Sequence, residues 1–159
     1  MGTSGMILAQ DLIVDHKTIG KLGDEITVAL GAMSADNVKH FKVISTNKAF
    51  INPDDIRGMK TILQKIQNID LSEVNCTLFD ASAFQNYNSL ISISLPILNG
   101  AAISKYMFKG CSNFKEVKNW GNVRKIDEEA FWGCINFNTT SFPETLEEIG
   151  KNAFKGCAG

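Results

Sequence analysis

The sequence has few of the residues from which most catalytic sites are built. It contains only two histidines, His16 and His40, far apart in the amino-terminal part. Neither the Gly-x-Ser-x-Gly turn that presents a nucleophilic serine nor the Gly-Lys-Ser/Thr loop that holds phosphate occurs in it. We therefore predict that the protein is not an enzyme and uses no cofactor, and that His40 is an ordinary outward residue of a strand.

The sequence also lacks an excess of charge and any long hydrophobic run. Its 16 basic residues stand against 17 acidic ones, so the formal net charge is −1. A charge this small gives no electrostatic reason to expect nucleic acid as a partner. No apolar run reaches the roughly 18 residues that could span a bilayer, so membrane insertion is not expected either.

A signal peptide is missing from the amino terminus, which has neither a basic region nor a long apolar core after it. Residues 1–5 are small and polar, which favours a leader added to the natural chain. A natural export signal could have been lost with that addition. The sequence therefore leaves the compartment open.

Cysteine is scarce as well, with Cys76, Cys111, Cys134 and Cys157 as the only four. Structural zinc sites usually pair ligands about two to four residues apart, and because that spacing is absent we predict no metal site. Three of the four cysteines recur at one period, which favours a column of buried thiols. The sequence does not exclude disulfide bonds, because neighbouring strands lie about 4.8 Å apart and the Cα atoms of disulfide-bonded cysteines lie about 4.4 to 6.8 Å apart.

What the sequence does have is self-similarity. Fragments at 107–111, 130–134 and 153–157 all end in Phe-x-Gly-Cys, and their phenylalanines lie 23 residues apart. Such a period predicts an α/β solenoid of 23–24-residue rungs with a short parallel sheet on one face. The glycines are expected to adopt positive φ. Three further columns of strand residues follow the same steps: Ile66, Leu90, Phe114 and Phe137; Ile69, Ile93, Val117 and Thr140; Leu71, Leu95, Asn119 and Phe142.

The first part of the chain lacks this period and is predicted to form a cap of two helices and a first strand. We place the cap at residues 6–65 and the solenoid at 66–159, with its last rung incomplete. Apolar residues spaced three and four apart at 19–33 predict the first helix, with Thr18 or Asp24 as its capping residue. Glycines in this stretch place its limits near Asp24 and Gly31.

The rest of the cap carries clearer signals. Alternating apolar and polar residues predict a strand at 38–44. Asn52 followed by Pro53 predicts the start of the second helix, which should run to about residue 66.

Residues that alternate with the inward strand positions are predicted to lie on the open face of the sheet. They are polar, small and of mixed charge, which suits a protein or glycan partner bound through hydrogen bonds. The sequence does not decide whether Trp120 and Trp132 lie in the core or at exposed rung corners. The predicted binding residues are Asn68, Asp70, Ser92, Ser94, Glu116, Lys118, Thr139 and Ser141.

Two segments resemble the BspA-like leucine-rich repeat family, namely 88–96 (NSLISISLP) and 142–157 (FPETLEEIGKNAFKGC). Their leucine, isoleucine, proline, Ala-Phe and Gly-Cys positions recur together, and the resemblance covers about residues 66–157. Residues 51–57 and 69–72 are similar to the cap region of such proteins from gut and oral bacteria. The resemblance implies a right-handed leucine-rich-repeat coil with a helical amino-terminal cap and no catalytic residues.

Two functions from different classes follow. The resemblance implies a bacterial protein, secreted or on the cell surface, that adheres to a host matrix protein, a glycan or another cell-surface protein. The alternative is a structural spacer that presents other domains or self-associates through its open carboxyl-terminal edge.

Overall fold

Parallel strands that follow one another in chain order are the main feature of the structure. The computed structural model describes residues 10–139 and 141–158. One parallel sheet has the order β1 (Gln10–Asp15), β2 (Val38–Ile44), β3 (Asn68–Glu73), β5 (Ser92–Ser94) and β8 (Glu116–Asn119). Two smaller parallel sheets pair β4 (Asn75–Cys76) with β6 (Ile97–Leu98), and β9 (Lys125–Ile126) with both β7 (Ala102–Ile103) and β10 (Glu148–Ile149). Backbone hydrogen bonds therefore join each repeat to the next.

The large sheet extends further toward the amino terminus than predicted. The strand predicted at 38–44 is confirmed as β2, and β1 is an additional strand paired with it. Leu12 and Val14 are buried, whereas Ile13 between them is 61% exposed. An apolar residue on the outer face hides the alternation that marks a strand.

The division of the chain at residue 66 stays a prediction, and the leader at residues 1–5 and the inward position of Thr140 fall outside the described residues.

The second helix, α2 (Pro53–Ile62), begins where the sequence predicted. The side chain of Asn52 accepts a hydrogen bond from the N–H of Asp55 at 3.1 Å, and the Asp55 carboxylate accepts one from the N–H of Asn52 at 2.9 Å. This reciprocal capping box satisfies two N–H groups at the helix start. The helix ends at Ile62 and not near residue 66, because Leu63 leaves the helical conformation with φ −96° and ψ 58°.

The first helix, α1 (Leu22–Leu30), lies in the predicted region, but both predicted caps are wrong. Lys21 stands at the capping position without a side-chain hydrogen bond, and Asp24 lies inside the helix. The N–H of Leu22 donates instead to the carboxylate of Asp55, on α2, at 2.9 Å. A tertiary contact thus replaces a local cap. Within the described residues, neither helix has the length and apolarity needed to cross a bilayer.

The repeated phenylalanines form a stacked column in the core. Ring centroids lie 5.5 Å apart between Phe84 and Phe108, and 5.1 Å apart both between Phe108 and Phe131 and between Phe131 and Phe154. The first three rings are fully buried. The glycines that follow the last three have φ between 75° and 80°, which confirms the predicted turns.

The inward position predicted for Asn119, in the column of Leu71 and Leu95, is wrong. The register between β5 and β8 shifts, so that Ser94 pairs with Asn119. Asn119 is exposed, and its side-chain oxygen accepts the N–H of Gly121 at 2.8 Å in the following turn. Trp120, which is only 9% exposed, lies inside instead. Burying the large indole and leaving the small amide in water is the more favourable arrangement.

The four cysteines are free thiols, which confirms the predicted column. Cys76, Cys111 and Cys134 are buried, and Cys157 is partly buried. The last three thiols each donate to the carbonyl oxygen of a phenylalanine in the preceding repeat, at 2.9 to 3.2 Å. They act as small packing groups.

These thiols are expected to react slowly in the folded protein. Burial raises the pKa of Cys76 to about 12 and that of Cys111 to about 11, and it also raises the pKa of Cys134 and Cys157. The reactive form is the thiolate, so a thiol reagent at about pH 8 should modify the folded chain slowly, with Cys157 first. In guanidinium all four should react at once. Rapid reaction of the folded protein, or fewer than four reactive thiols after denaturation, would contradict this assignment.

A candidate binding face on the sheet

Two rows of outward side chains cross the five-stranded sheet. Four of the predicted binding residues, Asn68, Asp70, Ser92 and Ser94, lie next to one another on β3 and β5. Strand register brings residues more than 20 positions apart in the chain into contact. The first row is Asp11, His40, Asn68, Ser92 and Glu116, and the second contains Ile13, Lys42, Asp70 and Ser94.

A chain of hydrogen bonds orders the first row. The hydroxyl of Ser92 donates to Oδ1 of Asn68 at 2.6 Å, and Nδ2 of Asn68 lies 3.0 Å from Nδ1 of His40. Because the Asn68 amide donates, Nδ1 of His40 accepts and the ring proton belongs on Nε2. The Nε2–H donates to no described residue, so it is available to a ligand.

Opposite charges meet in the second row. Lys42 Nζ contacts Glu73 and lies 3.7 Å from Asp70 Oδ2, while Asp70 Oδ1 accepts the N–H of Ser72 at 2.9 Å and its hydroxyl at 2.6 Å. Partial burial works against ionisation of Asp70, but the bonds from Ser72 and the charge of Lys42 outweigh it and lower the pKa. The contact with Glu73 raises the pKa of Lys42. Both groups are therefore charged at neutral pH.

The two rows border a shallow groove of about 300 Å³, which we call the sheet groove. Its lining includes five of the predicted residues: Asn68, Asp70, Ser92, Ser94 and Lys118. The cap strands add four outward residues that the sequence did not assign to the site: Asp11, Ile13, His40 and Lys42. The alternation in 38–44 predicts that His40 and Lys42 point outward. Their place beside Asn68 and Asp70 depends on the pairing of β2 with β3.

Ser92 has a different role from the one predicted. Only 1% of it is exposed, although it lies on the outer face. Its hydroxyl holds the Asn68 amide, so Ser92 positions a neighbouring side chain and offers little surface of its own.

The other predicted residues lie further along the face. Glu116, Thr139 and Ser141 line a second depression of about 480 Å³, together with Trp120. Lys118 lines both depressions and is exposed. The Thr139 hydroxyl donates to the Ser141 carbonyl at 2.8 Å, which uses its proton within the loop.

This face presents hydrogen-bonding groups and charges. Asp11 and Lys118 form no ion pair with any described residue, so one free charge of each sign lies in the sheet groove. No group of three histidine, cysteine, aspartate or glutamate side chains in the described ranges could hold a metal ion.

Comparison with models of known protein families identifies a match. A family model described as "BspA type Leucine rich repeat region" matches residues 61–159 in six copies. The match begins near the end of α2 and includes β3, β5 and β8. A search of curated proteins found no match. Since the family model covers more than half of the chain, the protein belongs to the BspA-type leucine-rich repeat family.

Proposed function

We propose that the protein is a secreted or surface-attached adhesion module whose sheet groove binds a segment of another protein. The observation that carries the proposal is the hydrogen-bond chain from Ser92 through Asn68 to His40. It holds polar groups of three strands in place before a partner arrives, and preorganised groups lose less entropy on binding. Family membership supports a non-catalytic interaction role.

The composition of the groove favours a protein over a glycan. Phe41 is the only phenylalanine, tyrosine or tryptophan among its lining residues and is 1% exposed, so none of the rings on which sugars usually stack is available. Asp11, His40 and Lys118 offer charges and hydrogen-bonding groups that match side chains and backbone of a polypeptide.

We also infer that the repeats wind as a right-handed solenoid capped by α1 and α2. All strand pairings among the described residues are parallel, and those of the large sheet follow chain order. Connections between parallel neighbouring strands are right-handed in nearly all proteins.

Replacing Lys118 with alanine is expected to weaken binding of the partner about tenfold, since charged side chains at the centre of an interface contribute on the order of 1 to 2 kcal/mol. The measurement is surface plasmon resonance against a panel of immobilised extracellular matrix proteins. Asp70→Asn should act in the same direction because it removes the charge opposite Lys42.

Lys115→Ala is the matched control for Lys118. Lys115 is also an exposed lysine near β8, but it does not line the sheet groove. Its replacement should leave the affinity unchanged. Equal losses in both lysine variants, or no binding to any protein of the panel, would count against a binding site in the groove.

A second candidate function is self-association through the last repeat. Phe142 is 41% exposed and Ile149 is 52% exposed, and Phe154 lines a depression of about 330 Å³ beside Phe142. In the preceding repeats alternate N–H groups of this turn donate to the next repeat. Those of Asn152, Phe154 and Gly156 have no acceptor among the described residues.

Sedimentation equilibrium tests this candidate. A second copy that covers this edge would give a dimer whose population rises with concentration and falls in Phe142→Ser. A protein that stays monomeric at the highest concentration would overturn it.

A further inference from the structure

A second surface of mixed lysine and aromatic character is built by the turns that carry Phe-x-Gly-Cys. The position between phenylalanine and glycine is occupied by Lys109, Trp132 and Lys155 in three successive repeats, and by Gln85 in the repeat before them. The phenylalanines of these turns pack in the core column, whereas this intervening position is half-buried or exposed. The repeat therefore stacks these side chains in one line on the protein surface.

Lysine ammonium groups lie over the ring of Trp132, which belongs to this line, and over the ring of Tyr106, which lies beside it. Lys109 Nζ lies 4.0 Å from the ring centre of Trp132, and Lys155 Nζ lies 5.0 Å from it. Tyr106 has Lys105 Nζ at 4.8 Å and Lys109 Nζ at 4.7 Å. At these distances an ammonium group is attracted to the ring, so the two aromatic side chains are held in place. We call this surface, made of Lys105, Tyr106, Lys109, Trp132, Lys151 and Lys155, the turn patch.

The charges of the turn patch are only partly balanced. Lys105 pairs with Glu128 and Lys109 with Glu129, each at 2.8 Å. Neither Lys151 nor Lys155 has a carboxylate within 4.0 Å among the described residues. The four lysines of the turn patch and the two glutamates that pair with two of them sum to a net charge of +2, although the whole chain carries −1.

We propose that the turn patch binds an acidic, carboxylate-bearing segment of a protein. Interface residues that contribute most are often tryptophan and tyrosine in an ordered setting, and the unpaired lysines supply charge complementarity. The Nε1–H of Trp132 donates to no described residue, so it is available to a carboxylate. With ammonium groups near its ring, Trp132 offers no clear face for a sugar to stack on, which distinguishes this ligand from a glycan. This surface is separate from the sheet groove.

The test measures the anisotropy of a fluorescent hexaglutamate peptide titrated with the whole chain at low ionic strength. Lys155→Gln and Trp132→Gln should each weaken binding at least fivefold. Gln85 occupies the equivalent position in an earlier repeat, so glutamine is compatible with the fold at both sites. Added salt should also weaken binding, because these charges are exposed to screening.

Two control variants separate this surface from others. Lys115→Gln removes an exposed lysine outside the turn patch, and Lys118→Ala alters the sheet groove. Both should stay within twofold of the unaltered chain. If hexaglutamate does not bind, or if the control variants lose as much affinity as Lys155→Gln, the proposal is overturned. It is also overturned if a heparin-derived hexasaccharide binds more tightly than hexaglutamate and depends on the same residues, since the ligand is then a sulfated glycan.

Discussion

Asp55→Ala is expected to lower the free energy of unfolding by about 4 kcal/mol, because removing one partner of a buried charged network leaves the rest uncompensated. Asp55 is fully buried. Its carboxylate accepts the N–H groups of Gly20 at 3.0 Å, Leu22 at 2.9 Å and Asn52 at 2.9 Å, and lies 3.6 Å from Nε2 of His16. Alanine would leave the three N–H groups without their acceptor, whereas His16 Nε2 keeps its contact with the carbonyl oxygen of Phe50 at 3.1 Å.

The loss should extend beyond α2, because Asp55 belongs to a network shared by the cap elements. His16, which directly follows β1, is fully buried between Asp55 of α2 and Glu25 of α1. Nδ1 of His16 lies 2.6 Å from Oε2 of Glu25. Glu25 also accepts the N–H groups of Lys17 and Thr18, at 2.9 and 3.1 Å. The variant is therefore expected to loosen the attachment of α1 to β1 and α2.

Urea denaturation followed by far-ultraviolet circular dichroism measures this effect. Asp54→Ala is the matched control, since Asp54 is the preceding residue of the same helix, but 66% of its side chain is exposed and, among the described residues, its one ion pair is with Arg57 on the surface. Exposed ion pairs contribute little to stability. A similar midpoint for Asp55→Ala and the unaltered chain would show that the buried network does not hold the cap together.

Phe131→Ala is expected to destabilise the protein by about 3 to 5 kcal/mol, the usual cost of deleting a buried phenyl ring. Phe131 is fully buried, and its ring centre lies 5.1 Å from those of Phe108 and Phe154 and 4.8 Å from that of Phe137. Stacked pairs of this kind add about 0.5 to 1.5 kcal/mol beyond the area they bury. The cavity would open in the middle of the column, where neighbours on both sides lose a contact.

Phe142→Ala provides the comparison, because Phe142 is 41% exposed and therefore loses much less buried area. Intrinsic tryptophan fluorescence, which includes that of Trp120 with its ring centre 6.2 Å from that of Phe131, should follow unfolding. Phe131→Leu keeps most of the volume and should recover part of the loss. If Phe131→Ala were no more damaging than Phe142→Ala, the stacked column would not be the main source of core stability.

Periodic features could be predicted from the sequence because each repeat has nearly the same surroundings. Phe108 and Phe131 recur at one spacing with a repeat on either side, so equivalent neighbours surround both and their full burial follows from the period. Phe154 keeps its place in the column but is only partly buried. The same argument gave the positive φ of the repeated glycines and the inward pairing of Ile69 with Ile93. It also gave the outward place of Asn68 and Asp70, since side chains alternate along a strand.

Features outside the repeat could not be predicted, because they depend on contacts between segments with no common period. Asp55 lies in the first turn of the helix that Asn52 and Pro53 predict, but local sequence could not show that its carboxylate also accepts an N–H group of α1. The exposed Ile13 concealed β1, and without β1 and β2 in the sheet the groove lacked Asp11 and His40.

The amino-acid sequence by itself determined the repeat, its buried phenylalanine and cysteine columns and the polar character of the sheet face, because these depend on spacings of two and of 23 to 24 residues along one chain. Only the tertiary structure decided that Trp120 lies in the core while Trp132 is only partly buried. It also decided that His40 completes the groove. In each case the partner is a residue far along the chain, and its distance is set by how strands and turns pack against one another.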